Sequence, residues 1–131
     1  MIYTTYLAKL KNDPDIPQKI GSCFVYHIAI ARAPKENRCV APTWTLLNEY
    51  KLNGNWESYK EIYLDQIRKS PEAQEWIQKR SNEALIGNIL LVCYEKSNER
   101  CHRRLLAEEI ARLINSEVNN SQAEYLGDWN D

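Results

Sequence analysis

No charge of one sign predominates: seventeen Lys and Arg face eighteen Asp and Glu, a formal net charge of −1. A global basic field that would draw the chain onto nucleic acid or an anionic membrane is therefore excluded, and any anion binding must be local. No apolar run approaches the roughly 20 residues that span a bilayer, and the opening "MIYTTYLAKLKND" lacks a charged start followed by a long apolar region. The chain reads as soluble and not secreted, with the cytoplasm as its expected setting. There is no internal repeat and no low-complexity segment. With 131 residues and 44% hydrophobic side chains, it fits one compact domain over residues 1–131. From about residue 115 the composition turns polar, as in a C-terminal tail. Cysteines number only four, Cys23, Cys39, Cys93 and Cys101. Without a secretory signal they are expected to stay reduced and not to form a disulfide framework.

What is present alternates between strand and helix signals. Residues 2–7, "IYTTYL", are β-branched and aromatic and stop at the polar "KNDPDIP", read as a turn. The run "SCFVYHIAI", residues 22–30, has strand length and is apolar enough to expect cover on both faces. "ARAPKENRCVAP" carries two prolines and no usable period, and reads as a loop long enough to be functional. From Pro42 the spacing turns helical and ends at Asn53 and Gly54. "WESYKEIYLDQIRK" carries a stripe of Trp56, Tyr59, Tyr63 and Ile67, read as core. "SPEA" starts a third helix with Ser70 as cap and Pro71 at its first position. "NILLVCY" reads as a fully buried parallel strand, and a last helix, capped by Ser97 or Asn98, runs to about Ile114. "EYLGDW" reads as a short closing element. This order predicts an α/β domain with a mostly parallel sheet and helices on both faces.

The richest chemistry falls at one junction. In such sheets ligands bind beyond the carboxyl ends of the strands, beside helix N-termini. Cys93 and Glu95 stand at the end of the last strand, and Cys101, His102 and Arg103 open the helix that follows. At about 100° per residue, His102 shares the inward face of Leu106 and Ile110. Arg103 lies at the edge of that face, Arg104 points to solvent, and Cys101 falls on the opposite flank near Leu105. A thiol in the first helical turn feels the positive end of the dipole, so a thiolate at Cys101 is expected to be favoured. The same N–H groups, with Arg103, suit a phosphate or carboxylate. Elsewhere, Cys23 and His27 read as core residues, and Cys39 is uninformative.

Two sharper patterns are weighed against the spacing. Cys93, Cys101 and His102 are all zinc-ligand types, with Cys39 or Glu95 to complete a shell, but seven residues separate the cysteines where paired ligands usually have two to four. A phosphatase-like loop needs arginine six residues after the cysteine. Position 99 is Glu99, and Arg100 comes one step late. No cofactor is expected.

The residues "LLVCYEK" and "CHRRLLAEEIARL" resemble the signature of the domain-of-unknown-function family numbered 488. Upstream, "IYTTYL", "IAIARAPK", "APTWTLLNEYK" and "YKEIYLDQIRKSPEAQEW" are similar to further segments of that family. The resemblance implies a shared α/β fold and a shared site that includes Arg32, Pro34, Cys93, Glu95, Cys101, His102 and Arg103. It implies no agreed activity. Arg32 follows the second strand, so the resemblance and the topology together suggest a basic cleft of Arg32, Lys35, Arg38, Lys96, Arg100 and Arg103. From this the expected function is a small enzyme acting on a phosphate-bearing nucleotide or nucleic-acid component. Cys101 or Cys93 would be the nucleophile, His102 the acid/base and Glu95 its orienting partner, with Arg32, Arg103, Arg38 and Lys96 binding the anion. The competing expectations are a non-catalytic anion-binding module and a Cys/His metal site.

Overall fold

A computed structural model describes residues 1–21, 23–29, 33–94, 101–117 and 124–128. Its four strands are β1 (Ile2–Tyr6), β2 (Cys23–His27), β3 (Asn88–Cys93) and β4 (Tyr125–Asp128). They lie in the spatial order β2-β3-β1-β4, and every neighbouring pair is parallel. β3 is central because its sequence is apolar on both sides of the pleat. Ile89, Leu91 and Cys93 enter the larger core, while Leu90 and Val92 enter the smaller one on the other face. Each of these buried aliphatic side chains contributes about 1.5–3 kcal/mol relative to exposure.

Helices cover both faces, as the alternation of elements predicts. α1 (Leu7–Asn12) and α2 (Ile16–Ile20) place Leu7, Leu10, Ile16 and Ile20 against Leu90 and Val92. The other face carries α3 (Trp44–Asn53), α4 (Trp56–Lys69), α5 (Pro71–Ile86) and α6 (His102–Glu117), with Tyr63, Ile67, Ile77, Leu106 and Ile110 in one core. The helix starts follow from side-chain caps: Thr43 accepts from the Leu46 N–H, Asn55 from Ser58 and Ser70 from Ala73. Gly54, at φ 65°, closes α3 in the left-handed region that favours glycine. α6 is tied to α4 by the Arg68–Glu109 pair at 2.6 Å. Burial raises the pKa of that glutamate, but its bonds to Arg68 and Arg112 outweigh it and hold the carboxyl below its ordinary value.

Several expectations need correction. "KNDPDIP" is not a simple turn: α1 begins directly after β1 and α2 starts at Ile16, with a proline in its first turn where no N–H is needed. The loop at "KENRCV" holds a 3₁₀ helix, Lys35–Val40. β2 is an edge strand covered only in part: Tyr26 packs on the larger core and Cys23 and Val25 on the smaller, but Phe24 is 42% exposed. α6 runs past Ile114 to Glu117, whereas the closing element expected at "EYLGDW" is present as β4, Tyr125–Asp128, paired with β1. The candidate caps Ser97 and Asn98 lie outside the described residues.

The topology singles out one corner. β1 leaves toward β2 through α1 and α2 on one face, whereas β3 leaves toward β4 through α6 on the other. β1 and β3 are neighbours, and their last residues, Tyr6 and Cys93, are register partners. Their C-terminal ends therefore flank the point where the direction of winding reverses, the place where open α/β sheets leave a crevice for ligands.

Candidate functional site

Cys93 ends β3 with its side chain on the α6 face, and α6 begins at that same corner. Cys101 sits just before the first helical residue, its carbonyl accepting the Arg104 N–H at 3.3 Å. Its direction is therefore not set by the helical step, and it does not fall on the opposite flank as periodicity suggests. Cys101 is instead buried against Cys93, its thiol donating to the Cys93 sulfur at 2.6 Å.

His102, the first residue of α6, completes the group from the inward side, as its place on the helix predicts. Its Nε2 lies 2.7 Å from the carbonyl of Ile28, just past the end of β2. A carbonyl only accepts, so Nε2 carries the proton and donates it. Nδ1 is thereby turned toward the sulfurs, 3.6 Å from Cys93 Sγ and 3.6 Å from Cys101 Sγ. In the neutral ring it can accept from a thiol, and in the imidazolium it can face a thiolate. The ring edge of Tyr63 packs on the imidazole at 5.6 Å between centroids, and the Tyr63 hydroxyl donates to the Val40 carbonyl at 2.6 Å. Burial first, with Tyr59 next, holds that hydroxyl well above the usual tyrosine range.

The electrostatics correct a second expectation. Burial, joined by the bond to Cys93, pushes the Cys101 thiol well above its ordinary value, and the opposing pull of His102 does not offset this. Cys101 is thus held protonated, and the helix terminus does not make it the favoured thiolate. The three ligand-type atoms of Cys93, Cys101 and His102 all lie within 4.8 Å of one another, a group that could hold a metal ion.

Arg103 binds a carboxylate while staying within electrostatic reach of Cys101 and Cys93. Its guanidinium forks onto Asp128 at the end of β4, Nε to Oδ1 at 3.1 Å and Nη2 to Oδ2 at 3.1 Å. Burial alone would lower its pKa, but the Asp128 carboxylate holds it above the ordinary arginine value. Arg104, read as solvent-facing, is partly drawn in and reaches the same carboxylate at 3.3 Å. Thr4 Oγ1 also donates to Asp128 and lies 2.8 Å from the Tyr125 hydroxyl. The structure thus gives Arg103 a part in fixing the first turn of α6 against the sheet.

Arg38 and Lys35 stand exposed on the 3₁₀ helix. That helix is clipped to the site corner by buried Asn37, whose amide donates to the His27 carbonyl at 3.1 Å and accepts from Trp76 Nε1 at 2.9 Å. Arg32, Glu95, Lys96 and Arg100 lie outside the described residues. Sequence reasoning missed Tyr63, Asn37 and Asp128 as supports of the site. Tyr63 was visible only as one ring in a core stripe, and nothing local marks the other two.

A family model described as the active DUF488-N3 subclade matches residues 12–113. No curated protein and no solved structure matches the chain. The matched span contains Cys93, Cys101, His102 and Arg103, while β4 and Asp128 lie beyond it. No helix among the described residues is long and apolar enough to cross a membrane.

Proposed function

The chain belongs to the DUF488 family, and on that premise we propose that it is a small enzyme acting on a phosphate-bearing substrate, a nucleotide or nucleic-acid component. The observation that carries this reading is the convergence of Cys93 Sγ, Cys101 Sγ and His102 Nδ1 at the end of β3, at the point where the sheet's winding reverses. Cys93 is the nucleophile, because Cys101 keeps its proton and donates it to the Cys93 sulfur. His102 is the acid/base: Ile28 fixes its tautomer, so Nδ1 is the atom that takes and returns a proton. Arg38, with Arg32 and Lys96 from the sequence, supplies the anion contacts, and the orienting role expected of Glu95 falls to the Ile28 carbonyl, which holds Nε2. Arg103 serves as a positioning residue through Asp128. The setting proposed is a reducing one, the cytoplasm, where thiols such as Cys93 and Cys101 are kept reduced.

Alkylation tests this reading. In the reduced protein, iodoacetamide is expected to modify Cys93 before Cys101, and a nucleoside triphosphate or pyrophosphate is expected to slow that reaction in proportion to its occupancy. A Cys93 that reacts at the same rate with every phosphate compound present would remove the substrate assignment. Prior reaction at Cys101 would remove the choice of nucleophile. Protection by nucleotide without any turnover would favour the non-catalytic binding module.

A second reading has its own support. A histidine that donates one ring N–H to a backbone carbonyl while its other nitrogen faces two sulfurs is the usual outer arrangement of a metal-bound imidazole. Elemental analysis of protein purified without chelator would support it by showing one equivalent of zinc, lost in Cys93→Ser.

A further inference from the structure

We infer that Cys93 and Cys101 form a reversible dithiol–disulfide pair, a redox modification site at which a small hydroperoxide closes an intramolecular Cys93–Cys101 bond. The inference goes beyond the proposed reaction and stands on geometry alone. The two sulfurs lie 2.6 Å apart, and a disulfide bond is about 2.05 Å long, so closure asks for an approach of only about 0.5 Å. Holding a zinc ion asks for the opposite movement: two thiolates at about 2.3 Å from a tetrahedral metal sit about 3.8 Å from each other. The separation therefore fits bond formation better than a filled metal shell. The other two thiols are held elsewhere. Cys23 starts β2 at the far end of the sheet, and Cys39 donates to the Glu36 carbonyl within the 3₁₀ helix.

The chemistry balances with a hydroperoxide as oxidant. The Cys93 thiol gives its proton to His102 Nδ1, and its sulfur attacks the terminal peroxide oxygen. The O–O bond breaks, the departing oxygen takes the proton to leave as water or an alcohol, and Cys93 becomes a sulfenic acid. The Cys101 sulfur then attacks the Cys93 sulfur, forming S–S and breaking S–O, and its proton leaves with the hydroxide as a second molecule, water. Two thiols are oxidised and one peroxide is reduced. A small dithiol reverses the change by exchange. With Cys93 and Cys101 2% and 3% exposed, small oxidants are favoured over bulky disulfides. Closure consumes the sulfur assigned as nucleophile, so the oxidised protein is expected to be silent toward thiol reagents at this centre.

The test uses the full chain, reduced, freed of reductant and treated with hydrogen peroxide. The expected result is a mass about 2 Da lower with two fewer alkylatable thiols. Peptide mapping should join Cys93 to Cys101, and dithiothreitol should restore the starting mass. In Cys101→Ser the reaction is expected to stop at a Cys93 sulfenic acid that dimedone traps, a species the parent protein does not accumulate. Oxidation of Cys93 with Cys101 still alkylatable, or a link made through Cys23 or Cys39 instead, would overturn the inference. The nucleotide-protection experiment is made on the reduced protein, so either result can fail while the other stands.

Discussion

Replacing Asp128 with alanine is expected to lower folding stability by about 3–5 kcal/mol, the range for stripping one partner from a buried ion pair. The Arg103 guanidinium is 0% exposed and would remain in the interior without its carboxylate. Arg104, with 41% of its side chain exposed, can turn to water, so most of the cost falls on Arg103. Thr4 would lose its acceptor as well. Urea denaturation of Asp128→Ala measures the effect directly. The double variant Arg103→Met with Asp128→Leu, which removes both charges together, is expected to regain most of the loss. A cost below about 1 kcal/mol for the single variant would mean that the pair behaves like an exposed one, contrary to the burial described above.

The second large effect concerns chemistry rather than folding. In His102→Gln the new amide can still donate to the Ile28 carbonyl, but no ring nitrogen faces the sulfurs. The alkylation rate of Cys93, and any turnover that depends on it, is expected to fall by about 10²-fold or more, the lower end of what a positioned general base contributes. Cys93→Ser is expected to abolish both. Intact thermal unfolding of His102→Gln would confirm that the loss is chemical. An unchanged alkylation rate in that variant would separate the imidazole from the thiols and leave His102 as a packing residue that joins α6 to the end of β2.

These two predictions mark how far the sequence could be read. β3 was legible because a central parallel strand needs apolar side chains on both faces, and "NILLVC" has them. α5 was legible from Ser70 and Pro71, whose capping roles are local. His102 was placed inward correctly because it lies within the helix, where the 100° step holds. Cys101 stands one residue earlier, outside that step, and so its contact with Cys93 could not be read from periodicity. Its raised pKa was hidden for a related reason: helix-terminus reasoning sees the dipole but not the burial that outweighs it. The Arg103–Asp128 pair depends on a tail strand pairing with β1, a long-range event with no local signature. α1 and α2 were obscured by a polar, proline-bearing stretch that also serves as helix starts. The family itself was legible in "LLVCYEK" and "CHRRLLAEEIARL", which fall wholly within the matched span.

The claim on which the rest stands is that the His102 imidazole, pinned by Ile28, presents Nδ1 to both sulfurs. Nitrogen-15 NMR of the histidine ring in the reduced protein reads this directly. The account predicts a proton on Nε2 that persists across neutral pH and an Nδ1 resonance that moves when either Cys93 or Cys101 is replaced by serine. A bare Nε2 with the proton on Nδ1, or an Nδ1 signal indifferent to the loss of both sulfurs, would contradict it.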